Sequence, residues 1–462
     1  MPIEGLGPVG VHPPPTVDAL SPRVVGHTRT WRQHADILGS ATSLLATTAV
    51  TSGLGFVYWA AAARLYSQRA VGLGSSAISV MMLLGTIGMA GLGTVLIAEL
   101  PLRPVGRARL VAAGLIASAG VSAVLGVAYV LIAPRFSAPL GLLIDRPGRA
   151  GVFVLGVALT GSILVFDQAT LGLQHSALQL WRNAIFAVAK IALLVVFSVV
   201  LHDELGLGIL ESWIWGTAAS MLLLGVVMRQ QGMRVGHRPQ WSLLRGMGRT
   251  TLAHNWLNIA VQAPRLLIPV VVTAVVSASA SGAFYAAWTI VGFLFVLPTH
   301  LSTALFAVAS ADRPAMARKT RLTLRLSLVA GLGGAAALAI GAPLILALFG
   351  RSYAHEATVP LQILTLAYLP MIIKTHYVAA ARVQRRIPRA AAVLVAGGLL
   401  ELGAASWGGH VDGLVGLSTW LVAAMVVESL ALAPLVWSVA TADLHRGGHR
   451  VGSARAGQPG AP

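Results

Sequence analysis

The stretch Leu110–Ala133, LVAAGLIASAGVSAVLGVAYVLIA, contains 24 residues and no charged side chain. Arg107 and Arg109 precede it, and Pro134 and Arg135 follow it. An α-helix of this length rises about 36 Å, which is enough to cross the ~30 Å hydrocarbon core of a bilayer. The stretch is therefore predicted to be a transmembrane helix with charged residues at both ends.

Similar apolar runs occur on both sides of this stretch, and together they predict twelve spans. No long polar segment separates them, so the predicted fold class is an all-α, polytopic membrane protein. The predicted spans are Ile37–Ala63, Leu73–Ala98, Leu110–Ala133, Gly151–Leu173, Leu180–Leu201, Ile209–Met228, Thr251–Ala274, Gly282–Val308, Thr323–Phe349, Thr358–Ala381, Arg389–Trp407 and Leu414–Val439.

The composition agrees with a membrane protein. Of the 462 residues, 56% are hydrophobic and only 10% are charged, whereas soluble domains carry about 25% charged residues. The chain has no cysteine, which excludes disulfides, thiolate metal ligands and cysteine nucleophiles. No phosphate-binding loop, zinc-protease motif or serine-hydrolase motif occurs, so no cofactor, metal or catalytic residue is predicted.

The net charge of +18 fits membrane topology better than nucleic-acid binding, because the basic residues lie in short loops between the apolar runs. With twelve spans, 23 loop and tail Lys/Arg residues fall on the side of the termini and 6 on the other side. Excess Lys/Arg marks cytoplasmic loops. Both termini are therefore predicted to be cytoplasmic. Arg far exceeds Lys, and with the Ala, Gly and Val bias this indicates a GC-rich bacterial genome, so the predicted location is a bacterial plasma (inner) membrane.

The distribution of polar segments predicts the domain organisation. Residues 1–36 are rich in Pro and Gly and are predicted to be a disordered tail. A six-helix lobe (37–228), a basic linker (229–250), a second six-helix lobe (251–440) and a C-terminal tail (441–462) follow. The two lobes have similar sequence features at equivalent positions. Arg103-Pro104 and Arg313-Pro314 occupy equivalent loops, and Pro134 and Pro343 lie near equivalent helix ends. A parallel repeat of this kind is typical of transporters.

Ionisable residues inside predicted spans are the candidate binding residues. Each costs about 2.5–3.5 kcal/mol or more in hydrocarbon, so each should face protein or water. Arg265 follows Pro264 in the middle of the seventh span, and Lys374 lies deep in the tenth. A cavity lined by such cations suits an anion such as a phosphate or pyrophosphate. The candidate cavity residues are Arg265, Lys374, Arg182, Lys190, Asp167 and Arg64.

Several of these candidates have an alternative structural interpretation. Arg182 could be an interfacial anchor, and Asp167 and Lys190 could form an ion pair between neighbouring helices. The position of Arg64 at the end of the first span favours a role as an anchor at the outer rim. For Glu401 and Glu428 a structural role is favoured over substrate binding.

Segments in both halves resemble bacterial polysaccharide-biosynthesis membrane proteins, the O-antigen and lipid-linked-oligosaccharide flippases of the MOP superfamily. In the first half these segments are Gly53–Phe56, Ala63–Tyr66, Val71–Leu73, Gly91–Thr94 and Leu100-Pro101. In the second half they are Leu348–Ala354 and Pro360–Leu364. The resemblance extends over most of residues 37–440.

The resemblance implies a MATE/MOP-like fold of two six-helix lobes around a central cavity, working by alternating access. The implied substrate is a polyprenyl-pyrophosphate-linked glycan, moved from the cytoplasmic to the outer leaflet. Implied partners are this lipid-linked oligosaccharide, membrane lipids, and glycosyltransferases or a polymerase of a polysaccharide pathway. Twelve helices favour a surface-polysaccharide role, because the peptidoglycan-precursor branch often has fourteen.

Other functions remain open on sequence grounds. A MATE-type multidrug exporter shares the fold, although cationic drugs would favour acidic cavity residues. A membrane-embedded glycan transferase would need a larger outer loop than Pro134–Ala150, the longest here. A scaffold in a polysaccharide-synthesis complex is a further alternative.

Overall fold

The computed structural model describes residues 53–103, 105–136, 138–141, 143–173, 175–201, 205–230, 238–244, 248–311 and 316–455. The predicted tail 1–36, the start of the first span and parts of the linker 229–250 lie outside these residues. No β-strand occurs in the described part of the chain.

The described residues form helices joined by short connections. The helices are α1 (53–65), α2 (Gln68–Gly88), α3 (Leu92–Glu99), α4 (Arg107–Phe136), α5 (Ala138–Gly141), α6 (Pro147–Gly172), α7 (Ser176–Val200), α8 (Leu207–Gln230), α9 (Gly248–Val275), α10 (Ala278–Ala311), α11 (Met316–Ala347), α12 (Arg351–Thr365), α13 (Tyr368–Val383), and a long stretch Ile387–Arg455 that a break divides into α14 (387–411) and α15 (414–455).

The helices agree with the predicted all-α membrane fold. Within the described residues, nine helices are long and apolar enough to cross a membrane, or ten if the bent pair α12–α13 is one span. One of the nine, Ile387–Ala442, has 56 residues and would be about 84 Å long if straight. Its break at Asp412 and Gly413 therefore divides it into the two spans predicted there. Helix α1 supplies the end of the first predicted span.

Two predicted spans are not continuous helices. The second consists of α2 and α3, separated where Ala90 and Gly91 adopt positive φ angles of 48° and 76°. The tenth consists of α12 and α13, which meet at a bend of 50°. Helix α15 continues to Arg455, well past the predicted end of the last span at Val439.

Helix α2 joins the two halves of the molecule. It contacts α4, α6 and α8 in the first lobe and α9 and α10 in the second. Gly72 of α2 lies so close to α10 that a Cβ atom there would be 1.8 Å from the Ala278 carbonyl oxygen. Such close approach of helices is typical of small residues in membranes. We call this contact between the lobes the outer seam, because it lies at the end of α2 away from the basic loops.

Two further glycines of α2 also pack tightly. A Cβ atom on Gly85 would lie 2.6 Å from Thr160, and one on Gly88 would lie 2.0 Å from the Ser122 hydroxyl. Helices α4, α7 and α11 instead bury only 11–17% of their most apolar windows. Their apolar residues are largely unburied, so α4, α7 and α11 are peripheral helices, whereas α2, with 78% of its window buried, is an interior helix.

Candidate functional site

A cavity of about 400 Å³ lies between the lobes, on the basic-loop side of the outer seam. The first lobe contributes Thr86 and Met89 from α2 and Leu164 and Gln168 from α6. The second lobe contributes most of the wall, from α9, α10, α13, α14 and α15. The size is within the range of about 300–1,000 Å³ that is usual for ligand sites.

Arg265 reaches this cavity from the middle of α9. Pro269, four residues later, has no N–H to donate to the Arg265 carbonyl. The indole Nε1 of Trp288 on α10 donates to that carbonyl instead, at 3.3 Å. The side chain of Arg265 is accessible to the cavity space, and its guanidinium forms no hydrogen bond or ion pair with any residue that the structure describes. It is therefore a cation available to a ligand.

Lys374 also lines the cavity, but its charge is compensated. Its Nζ atom donates to Glu401 Oε1 and to Glu428 Oε2, each at 2.9 Å. All three side chains are buried, and with every group ionised the triad carries one net negative charge. From the sequence, Lys374 was predicted to bind substrate, and Glu401 and Glu428 were predicted to be structural. The contact between them was not predicted, because the three residues lie on different helices.

Further polar groups surround Arg265 along the basic-loop half of the cavity. Arg382, near the end of α13, lines the cavity and donates to Asn258 Oδ1 of α9 at 3.0 Å. Gln262 lies on the same wall. The loop charges counted from the sequence include Arg382, and only its position directly after the predicted end of the tenth span at Ala381 signals that it faces the interior.

The lining and the triad together are net cationic. The ionisable lining residues are Arg265, Lys374, Arg382 and Glu401, and Glu428 lies directly behind Lys374. With all five ionised, the sum is one positive charge. Among these residues Arg265, rather than Lys374, is the cation exposed to the cavity.

Asp167 pairs with Arg182 and not with Lys190. Asp167 Oδ2 accepts from Arg182 Nη2 at 2.7 Å, and both side chains are largely buried. The alternative pairing of Asp167 with Lys190 is therefore wrong. Neither Asp167 nor Arg182 lines the cavity, so the pair links α6 to α7 within the first lobe.

Lys190 lies in a cage of aromatic rings within the first lobe. Its Nζ atom is 4.2 Å from the ring centre of Trp213, 4.6 Å from that of Tyr58 and 4.7 Å from that of Phe186. Desolvated cation–π contacts can each contribute about 2 kcal/mol. Trp213 packs against Lys190, whereas Trp215 and Trp437 expose 40% and 73% of their surface.

Arg64 belongs to the outer seam and not to the cavity. Its Nη2 and Nε atoms donate to the carbonyls of Ala347 and Leu348 at the end of α11, at 2.9 and 3.0 Å. A cation is favoured there by the partial negative charge of a helix C-terminus. Arg64 therefore connects the lobes at the outer rim.

The rest of the seam is also hydrogen-bonded. Gln68 Nε2 donates to the Ser279 carbonyl at 3.1 Å and to Glu356 Oε2 at 2.7 Å. Deeper in the seam, the Ser76 hydroxyl of α2 donates to the Pro269 carbonyl of α9 at 3.0 Å. The lobes are thus closed against each other at the outer rim, with the cavity on the opposite side of this closure.

No known protein family and no curated protein matches the sequence. Solved structures match its fold. A MATE family multidrug resistance transporter of the MOP superfamily, in its inward-facing conformation, has a TM-score of 0.65 at 14% identity, covering 85% of this chain and 95% of its own. The chain has the MOP superfamily transporter fold.

Other solved structures with this fold include a flippase and a second MATE transporter. The lipid II flippase MurJ gives a TM-score of 0.63 at 11% identity, with 87% of this chain and 91% of that chain covered. A MATE transporter of Vibrio cholerae gives 0.61 at 14% identity, with 89% and 98% covered. At these identities only the fold is shown to be shared, so the substrate must be argued from the cavity.

Proposed function

We propose that the protein is a transporter that moves a polyprenyl-(pyro)phosphate-linked glycan from the cytoplasmic to the outer leaflet by alternating access. The observation that carries this proposal is the guanidinium of Arg265, which borders the cavity without a carboxylate partner among the described residues. A guanidinium binds phosphate oxygens through paired, charge-assisted hydrogen bonds. Arg265 would hold the phosphate of the headgroup.

The polar wall near Arg265 supports the same substrate class. Asn258 and Gln262 of α9 and Thr299 and Thr303 of α10 line the cavity and offer donors and acceptors to sugar hydroxyls or phosphate oxygens. A volume of about 400 Å³ suits a headgroup but not a long prenyl chain. The prenyl chain would stay in the bilayer while the headgroup occupies the cavity.

The closed outer seam supports alternating access. Arg64, Gln68 and Ser76 hold the lobes together at one end, and the cavity lies toward the basic loops. If those loops and the termini are cytoplasmic, as the Lys/Arg distribution indicates, this is a state that accepts substrate from the cytoplasmic side. We place the protein in a bacterial plasma membrane, where glycosyltransferases would supply its substrate and a polymerase would use the product.

Reconstituted vesicles would test this function. A fluorescent glycan pyrophosphate lipid with a short prenyl chain should cross the bilayer in vesicles that contain the wild-type protein. Arg265→Ala should abolish this movement, and Arg265→Lys should retain part of it because the charge remains. Arg325→Ala is the matched control, since Arg325 is an exposed cation on peripheral α11. Unchanged movement with Arg265→Ala would contradict the proposal.

A second candidate is a MATE-type exporter of cationic drugs. The observation that favours it is Glu401, a carboxylate on the cavity wall that belongs to a triad with one net negative charge. The same vesicles can be loaded with a cationic dye. Dye transport that depends on Glu401 and not on Arg265, without movement of the glycan lipid, would support the exporter over the flippase.

A further inference from the structure

The Lys374–Glu401–Glu428 triad occupies an unusual position for a purely structural ion cluster. Lys374 and Glu401 face the cavity, while Glu428 lies behind them with only 3% of its side chain exposed. Two carboxylates share one ammonium, so one negative charge is uncompensated inside a membrane protein. Buried ionisable groups in spans are costly and commonly mark ion or proton pathways.

One oxygen of the triad has no donor among the described residues. Glu428 Oε2 accepts from Lys374, whereas Oε1 is buried and receives no hydrogen bond from a described N–H or O–H group, and the Glu401 carboxyl group lies within hydrogen-bonding reach of Glu428. Gly397 leaves the space that this oxygen occupies, because a Cβ atom there would lie 2.3 Å from it. A buried carboxylate oxygen without a donor is costly, and protonation of one glutamate would remove both the excess charge and this cost.

The charges that act on Glu428 come from within the triad, namely from Lys374 and Glu401. Arg265 of α9 and Arg382 of α13 share the cavity, and His376 of α13 points away, toward Thr323 of α11. Other charged or titratable side chains lie on the helices packed against the Ile387–Arg455 stretch, and none of them acts on Glu428. They include Tyr368 and Tyr377 on α13, Arg318, Lys319, Arg321 and Arg325 on α11, and Arg351, Tyr353, His355 and Glu356 on α12.

We propose that this triad is a proton-binding site whose occupancy is linked to anion binding through Lys374. The inference rests on the proposed function, since it requires an anion in the cavity. An anion held by Arg265 competes with Glu401 and Glu428 for the Lys374 ammonium. As Lys374 turns toward the anion, the two carboxylates lose their shared cation, and one of them takes a proton from cavity water. Binding of the anion and of the proton therefore strengthen each other.

Proton uptake on binding can be measured directly. The probe is a glycan pyrophosphate diester with a short prenyl chain, because neither phosphoryl group of such a diester titrates near neutral pH. Its binding enthalpy in two buffers with different ionisation enthalpies gives the number of protons taken up. The wild-type protein should take up close to one proton per bound probe, and its affinity should rise by up to about tenfold per unit decrease in pH.

Two variants separate the triad from the rest of the cavity. Glu401→Gln with Glu428→Gln should bind the probe at least as tightly as the wild type, because Lys374 is then unpaired, but without proton uptake. Glu99→Gln is the matched control, since Glu99 pairs with Arg103 on the partly exposed end of α3, and it should behave like the wild type. Thermal unfolding of each variant would verify that it is folded.

The outcomes distinguish this inference from the proposed function. Probe binding that depends on Arg265 but involves no proton uptake would overturn the proton site and leave the proposed function intact. Unchanged proton uptake in the double glutamine variant would also overturn it. No probe binding to the folded wild-type protein would contradict both.

Discussion

The guanidinium of Arg64, on α1 of the first lobe, donates to the Leu348 carbonyl after α11 of the second lobe at 3.0 Å. This bond, with its neighbour to Ala347, closes the outer rim of the cavity. Alternating access requires that such a contact break when the outer side opens. The seam is therefore expected to control the balance between the two states.

Arg64→Ala should shift this balance toward the outward-open state. The loss of charge-assisted hydrogen bonds removes about 1.5–3 kcal/mol of seam stabilisation. The chain has no native cysteine, so a single cysteine at Ala280, which is 8% exposed, reports on the seam. Its labelling by an impermeant maleimide should be faster with Arg64→Ala. Arg69→Ala, an exposed cation on the same rim, should leave the rate unchanged, and equal rates in both variants would contradict the seam assignment.

Charge exchange tests the Asp167–Arg182 pair. Asp167→Arg or Arg182→Asp alone leaves two buried like charges at the site of a 2.7 Å ion pair, and breaking such a pair costs about 3–5 kcal/mol. The double exchange should recover most of the lost thermal stability. Exchange of Asp167 with Lys190 should give no recovery, and recovery there would contradict the observed pairing.

The aromatic cage of Lys190 predicts a difference between two substitutions. Trp213→Ala removes the ring 4.2 Å from Nζ and leaves a cavity, which should lower the free energy of unfolding by about 3–5 kcal/mol. Lys190→Met fills a similar volume without a buried charge and should lower it much less. Thermal unfolding in detergent would measure both, and a larger loss for Lys190→Met would show that the ammonium has a partner other than the rings.

Cysteine labelling from either side of the membrane tests the topology. The sequence puts Ser242 in the cytoplasmic linker and Gly148 in an outer loop, and both are exposed in the structure. In intact cells, an impermeant maleimide should label a cysteine at Gly148 and not one at Ser242. The reverse pattern would invert the direction of transport inferred from the Lys/Arg count.

That most of the chain forms apolar spanning helices could be predicted from the sequence because apolar length and loop charge depend on local composition, although two of the twelve predicted spans are broken. Arg265 was predicted to face a cavity for a local reason too, since it lies in the middle of a span beside Pro264. The partners of Lys374 were not predictable, because Glu401 and Glu428 lie 27 and 54 residues away on other helices. The predicted alternative paired Asp167 with Lys190 and not with Arg182, because only the packing of α6 on α7 shows which cation reaches Asp167.

The breaks within spans left weaker signals in the sequence. Gly91 and Gly413 occupy positive-φ positions that glycine accommodates readily. The bend between α12 and α13 has no such residue at its centre, which is why the tenth span appeared continuous. The aromatic cage was missed because Trp213 near a helix end has the same local pattern as an interfacial tryptophan.

The central claim, that Arg265 holds the phosphate of an anionic headgroup, is tested most directly by the affinity of the purified protein for a glycan pyrophosphate lipid. One charge-assisted phosphate contact contributes about 1.5–3 kcal/mol, so Arg265→Ala should weaken binding by about tenfold to 100-fold, while Arg325→Ala should leave it unchanged. Equal affinities of the wild type and a folded Arg265→Ala variant would contradict the claim.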